Sequence, residues 1–139
     1  MKVPHIGALI RYAYLWADDA ARGQEEGVKD RPCAVVITTT DEEGGLVLYV
    51  MPVTHSQPGA ADLAVELPPA TKQRLGLDAE GSWIVTREYN SFTWPGPDIR
   101  PDASGEVIIG TLPATLIERA IANLRTHALA GRAGRASRD

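Results

Sequence analysis

The chain has 139 residues, 44% hydrophobic and 23% charged, with a net charge of −4. That length suits one domain with a real core, and the acidic balance argues against a broad basic surface for duplex nucleic acid, although a few arginines can still build a local anion site. A lone cysteine, Cys33, excludes an intrachain disulfide and a zinc-binding cysteine cluster, and His5, His55 and His127 lack ligand spacing, so neither metal nor cofactor is expected.

No apolar run approaches the length that crosses a bilayer. The N-terminal residues Met1 to Ile6 do not resemble a secretory signal. The expectation is a cytoplasmic protein without a membrane partner.

In chain order, Ile6 to Trp16 reads as a strand with two largely apolar faces. Ala17 to Lys29 is polar, acidic and punctuated by glycine, a long loop with room for a helical turn near Asp18 to Arg22. Cys33 to Thr40 is rich in Val, Ile and Thr and predicts a central strand. Leu46 to Thr54 predicts the next. Pro52 lacks a ladder donor, which points its end toward an edge or out of the sheet. Ala64 to Leu67 reads as a short strand. Pro68 to Leu77 reads as a short helix, with proline in the first turn and Gly76 at the left-handed end position. Further strands are expected at Trp83 to Arg87, Phe92 to Trp94 and Glu106 to Ile109. From Leu112, the residues Leu116, Ile117, Ala120, Ile121, Leu124 and Ala128 recur at helical spacing and predict a terminal amphipathic helix.

These elements suggest a mainly β (α+β) fold, a small antiparallel barrel with a C-terminal helix packed on it. Residues 1–130 make the domain. Residues 131–139, with Arg132, Arg135 and Arg138 among Gly, Ala and Ser, read as a flexible tail.

The segment Lys29-Asp30-Arg31-Pro32-Cys33 leads into one strand of a hairpin whose turn is Asp41-Glu42-Glu43-Gly44-Gly45. The other strand ends in Thr54-His55-Ser56. A hairpin symmetric about Glu43 sets Cys33 opposite Val53 and brings Arg31 close to Thr54 and His55. A fixed cation, a hydroxyl and an imidazole would then meet at its open end. Such a set can hold a phosphate and move its protons.

The chain also resembles the MazF/PemK-like (Kid/CcdB-fold) toxins of bacterial toxin–antitoxin systems. Gly7 and the strand after it resemble the family's opening strand. GVKDRPCAVV, residues 27–36, resembles its Gly-x-x-Arg-Pro-x-x-Val-(Val/Ile) signature. VMPVTHS resembles its third strand, ending in Thr or Ser, and GTLPATLIERAIANL its closing strand and helix. The resemblance runs to about Leu129. It implies an SH3-like barrel, a homodimer, a cognate antitoxin and cleavage of single-stranded RNA without metal. The family's motif arginine falls on Arg31 and its Thr/Ser on Thr54.

Metal-free RNA cleavage needs a base for the 2′-hydroxyl, a donor for the phosphorane and an acid for the leaving oxygen. Arg31 suits the donor, Thr54 a further hydrogen bond, and His55 the base or acid. Lys29, Ser56, Trp94 and Arg100 are the candidate RNA contacts, with Trp94 able to stack on a base. The bland readings stand beside these: a surface ion pair from Arg31 to Asp30 or Glu26, a local backbone bond from Thr54, and an ordinary loop histidine at His55. A Cys33–His55 thiol hydrolase is a separate option, set against Cys33 as a small core residue. The alternatives for the whole chain are a non-catalytic RNA- or protein-binding module and a toxin that poisons gyrase, since a fold does not fix a function.

Overall fold

The computed structural model describes residues 2–24 and 30–138. Its strands are β1 (Ala8–Ala13), β2 (Asp30–Thr40), β3 (Leu46–Thr54), β4 (Val65–Glu66), β5 (Trp83–Ile84), β6 (Glu88–Thr93), β7 (Ile108–Thr111) and β8 (Gly134–Ser137). Its helices are α1 (Ala17–Ala21), α2 (Pro69–Arg74) and α3 (Ala114–Leu129). The fold is mainly β: a curled, largely antiparallel half-barrel with a C-terminal helix. The strand order is β4-β5-β3-β2-β1-β7, with β6 beside β3 and β8 beside β6. Among the described residues, no helix is long and apolar enough to cross a membrane.

The hairpin β2–β3 is the centre of the sheet. Its turn is closed by Asp41, whose Oδ1 accepts from the backbone N–H groups of Glu43 at 3.0 Å and Gly45 at 2.7 Å. Gly44 takes the left-handed conformation there, φ 84°, which glycine adopts without steric penalty. Near the turn the register follows the expected symmetry: Thr40 faces Leu46 and Ile37 faces Tyr49. A bulge between Val35 and Ile37 then shifts the pairing by one. Cys33 therefore faces Pro52 rather than Val53.

Both faces of this sheet are buried, which explains why β1 shows no clean alternation. Leu9, Ala34, Val36 and Met51 pack with Leu116, Ile117 and Ala120 of α3. On the other face Ile10, Tyr12, Cys33, Val35 and Val50 pack with Phe92. Tyr12 and Phe92 stack with centroids 4.7 Å apart.

Pro52 is not on an edge. β3 pairs with β6 through Val47 to Val50 and with β5 through Val53 and Thr54. Pro52 falls where β3 changes partner, so its missing N–H leaves no ladder acceptor unpaired. Its carbonyl accepts from the Val85 N–H at 2.9 Å.

α2 ends as its sequence suggests. The Gly76 N–H bonds the Gln73 carbonyl at 3.1 Å and the Leu77 N–H reaches back to Lys72 at 2.9 Å. Gly76 itself has φ 71°. That is the paired closure that favours glycine after a helix.

Most of the described tail is built into the sheet. Gly134 to Ser137 pairs in parallel with Glu88 to Ser91. Arg138 turns inward, its side chain 3% exposed, with Nη2 2.8 Å from Asp98 Oδ1. Its Nη1 donates to the Ala13 carbonyl at 3.0 Å and to Asn90 Oδ1 at 3.2 Å. Composition suggested disorder, but these satisfied contacts with β1 and β6 order the segment.

Candidate functional site

Arg31 is the second residue of β2, opposite Tyr12 of β1. Alternation along β2 puts it on the same face as Cys33 and Val35. On β3 the same face carries Thr54, the last residue of the strand. Both side chains border one cavity of about 280 Å³. The bulge at Val36 is what brings these two residues level, since it moves the pairing from Cys33–Val53 to Cys33–Pro52.

The half-buried Arg31 guanidinium lies over the Trp16 ring, 5.0 Å from its centroid. Arg87 lies 5.9 Å from the same ring. Among the described residues Arg31 has no acidic partner. Asp30, one of its two anticipated partners, pairs with Arg100 at 3.3 Å instead, and the other, Glu26, lies outside the described residues. Burial lowers the Arg31 pKa from its ordinary value, but a guanidinium starts so high that it stays charged at any working pH. A half-desolvated cation over an indole, without a carboxylate among the described residues, has the chemistry to hold an anion.

Thr54 Oγ1 accepts from the Ser56 N–H at 3.1 Å. That bond uses a lone pair and leaves the hydroxyl proton to donate. Ser56 borders the same cavity. Arg87 does too, but it is committed, with Nη1 2.5 Å from buried Glu88 Oε2 and Nε 3.6 Å from Asp62 Oδ1. Glu88 also accepts from the Tyr14 hydroxyl at 3.0 Å and the Ala17 N–H at 2.9 Å. This carboxylate therefore fixes Trp16's neighbours on both sides and holds the aromatic wall of the cavity in place.

His55 is turned to the other face by strand alternation. It borders a separate cavity of about 120 Å³, which Arg31 also touches. Its Nδ1 lies 2.9 Å from the Gly81 carbonyl and its Nε2 3.0 Å from Asp78 Oδ2. Ser82 Oγ also lies 3.2 Å from Nδ1, so both nitrogens have partners away from the Arg31–Thr54 cavity. The imidazole expected beside Thr54 is thus absent from that set, because the chain turns His55 toward Asp78 and Gly81 as it leaves β3.

His55, Asp78 and Glu80 have ligand atoms within 4.8 Å of one another. Asp78 sits by Nε2, whereas Glu80 Oε2 is nearest Nδ1, at 3.6 Å. The carboxylates flank opposite edges of the ring, and the ammonium of buried Lys72 already takes Asp78 Oδ1 at 3.1 Å. The cluster is arranged as an ion-pair chain rather than around one cation.

No protein-family model matches the chain, and no curated protein matches it.

The other anticipated contacts are dispersed. Lys29 lies outside the described residues. Trp94 donates its backbone N–H to Leu46, at the turn end of β3; the length of that strand, about 26 Å, separates it from Thr54. Its ring packs beside the Phe92 cluster. Arg100 bonds the Pro97 and Ile99 carbonyls and lines a different cleft, about 880 Å³, between α1 and β8. Cys33 is fully buried, and burial pushes its thiol pKa up. A neutral thiol inside the core is no nucleophile, which removes the Cys33–His55 hydrolase.

Trp16, Asp62 and Arg87 were not anticipated. Trp16 reads in sequence as the end of a strand. Only the β1–β2 pairing, which sets Tyr12 opposite Arg31, carries the chain on to place the indole over the guanidinium.

Proposed function

We propose that the Arg31–Thr54 cavity receives a phosphate of single-stranded RNA and that the chain is a metal-independent endoribonuclease of the MazF/PemK-like kind. The observation that carries this reading is the guanidinium of Arg31, over the Trp16 ring, without an acidic partner among the described residues and bordering the same cavity as the Thr54 hydroxyl. Arg31 would fork onto the non-bridging oxygens as charge builds on the phosphorane. Thr54 would add one hydrogen bond. The local cation accommodates a phosphate despite the acidic whole. The same reading proposes a homodimer, kept silent in the cell by a cognate antitoxin.

The test is cleavage of a single-stranded RNA in EDTA by the wild type and by Arg31→Ala. The wild type should cut, and the variant should be slower by about a hundredfold or more, the usual loss for one oxyanion-type donor. Intact RNA with the wild type would end the enzymatic reading.

The occupied nitrogens of His55 favour a second reading, a module on the same barrel that binds RNA and cuts nothing. Saturable RNA binding without products would select it.

A further inference from the structure

We infer that Asp62 is the carboxylate that takes the 2′-hydroxyl proton in this cavity. The inference rests on the RNA-cleavage reading and supplies the base that His55 does not.

Asp62 ends the single 3-10 turn Ala60–Asp62, and the next residue, Leu63, is left-handed with φ 53°. A leucine there is disfavoured, because its Cβ crowds the following carbonyl. Three side chains from two other parts of the fold hold the turn in that shape. His127, 2% exposed on α3, donates Nε2–H to the Asp62 carbonyl at 2.8 Å. Thr86, fully buried after β5, donates to the carbonyls of Asp62 and Leu63. Asn123 of α3 donates to the Leu63 carbonyl as well.

The carboxylate these contacts fix borders the cavity shared by Arg31 and Thr54. Its Oδ2 accepts from the Gly59 N–H at 3.2 Å, and its Oδ1 faces Arg87 at the longer distance of 3.6 Å. Oδ1, which carries only that longer contact, would be the oxygen that meets a substrate hydroxyl. Strained backbone held by surrounding structure is a recurrent feature of functional sites.

In the step itself, Asp62 accepts the proton as the 2′-oxygen bonds to phosphorus. The bond from phosphorus to the 5′-oxygen breaks, leaving a 2′,3′-cyclic phosphate. Water at the mouth protonates the departing 5′-oxygen, and Asp62 returns its proton to solvent.

The experiment uses the full chain with a single-stranded RNA, and a fully 2′-deoxy copy of that oligonucleotide to report binding alone. Asp62→Asn keeps an acceptor for the Gly59 N–H. It should bind the deoxy copy within about threefold of wild type and cleave RNA about a hundredfold more slowly or worse, the usual range for a lost general base. Added formate should restore part of the cleavage by Asp62→Ala and none by Arg31→Ala. Cleavage by Asp62→Asn at the wild-type rate, or parallel loss of binding and cleavage, would overturn the role of Asp62 and leave the RNase reading standing. A wild type that cuts nothing would overturn both.

Discussion

The guanidinium of Arg31 lies 5.0 Å above the ring of Trp16 and has no carboxylate partner among the described residues. Its sequence neighbour Asp30 is drawn away by Arg100. An arginine beside an aspartate would ordinarily be read as self-neutralised. Among the described residues the pairing goes elsewhere, and Arg31 keeps its indole instead.

Replacement of Arg31 by lysine keeps the charge but removes the planar fork and the flat stacking face. Arg31→Lys should therefore bind a short single-stranded RNA about tenfold more weakly, a difference of about 1.4 kcal/mol. Fluorescence anisotropy with a labelled oligonucleotide measures it; equal affinity would mean that charge alone matters.

Cys33 should resist alkylation. Its thiol is fully buried and held neutral by burial, so iodoacetamide at neutral pH should label the unfolded chain and spare the folded one. Mass spectrometry reads the difference. Rapid labelling of the native protein would reopen a thiol mechanism.

Arg138 should matter as much as a core residue. Arg138→Ala strands Asp98, 13% exposed, and takes a donor from Asn90. The expected loss is about 3–5 kcal/mol, typical of breaking a buried ion pair from one side. Urea unfolding measures it. A loss below about 1 kcal/mol would show that β8 contributes little.

Asp78 gives a pH signature. The hydrogen bond from Lys72 holds its carboxyl below the ordinary aspartate range, with His55 and the Glu80 N–H assisting. A depressed folded pKa stabilises the protein above the unfolded pKa, and that contribution fades as pH falls through the folded value. The stability gap between wild type and Asp78→Asn should thus be widest near neutrality and close in acid. A gap independent of pH would contradict the assignment.

Much of the scaffold was legible. Leu46 to Thr54 is a strand over its full anticipated span, and α2 stops at Gly76, because local chemistry decides such features. The hairpin count brought Arg31 near Thr54 and His55 but set it level with His55, and only the bulge sets it level with Thr54. His55 was misplaced because closeness along a strand is not closeness on a face. The bulge at Val36 is invisible to a count outward from the turn. Trp16, Asp62 and Arg87 come from three separate segments, and only tertiary pairing assembles them. The tail misled because Gly, Ala and Arg look solvated until β6 offers an unpaired edge and Asp98 a buried counter-charge.

Val36 acts as a phase inverter within β2. It lies on the same face as its neighbour Ile37, so the strand carries opposite parity before and after it. Deleting that one valine would leave the turn and the tip of the hairpin as they are. It would also leave the upstream register unchanged, because Val35 already faces Val50 and Ile37 faces Tyr49, and the Arg31 guanidinium would stay over the indole. The pocket depends on Val36 being looped out: a regular ladder that kept this valine would set Arg31 opposite His55 and turn its guanidinium to the helix side of the sheet.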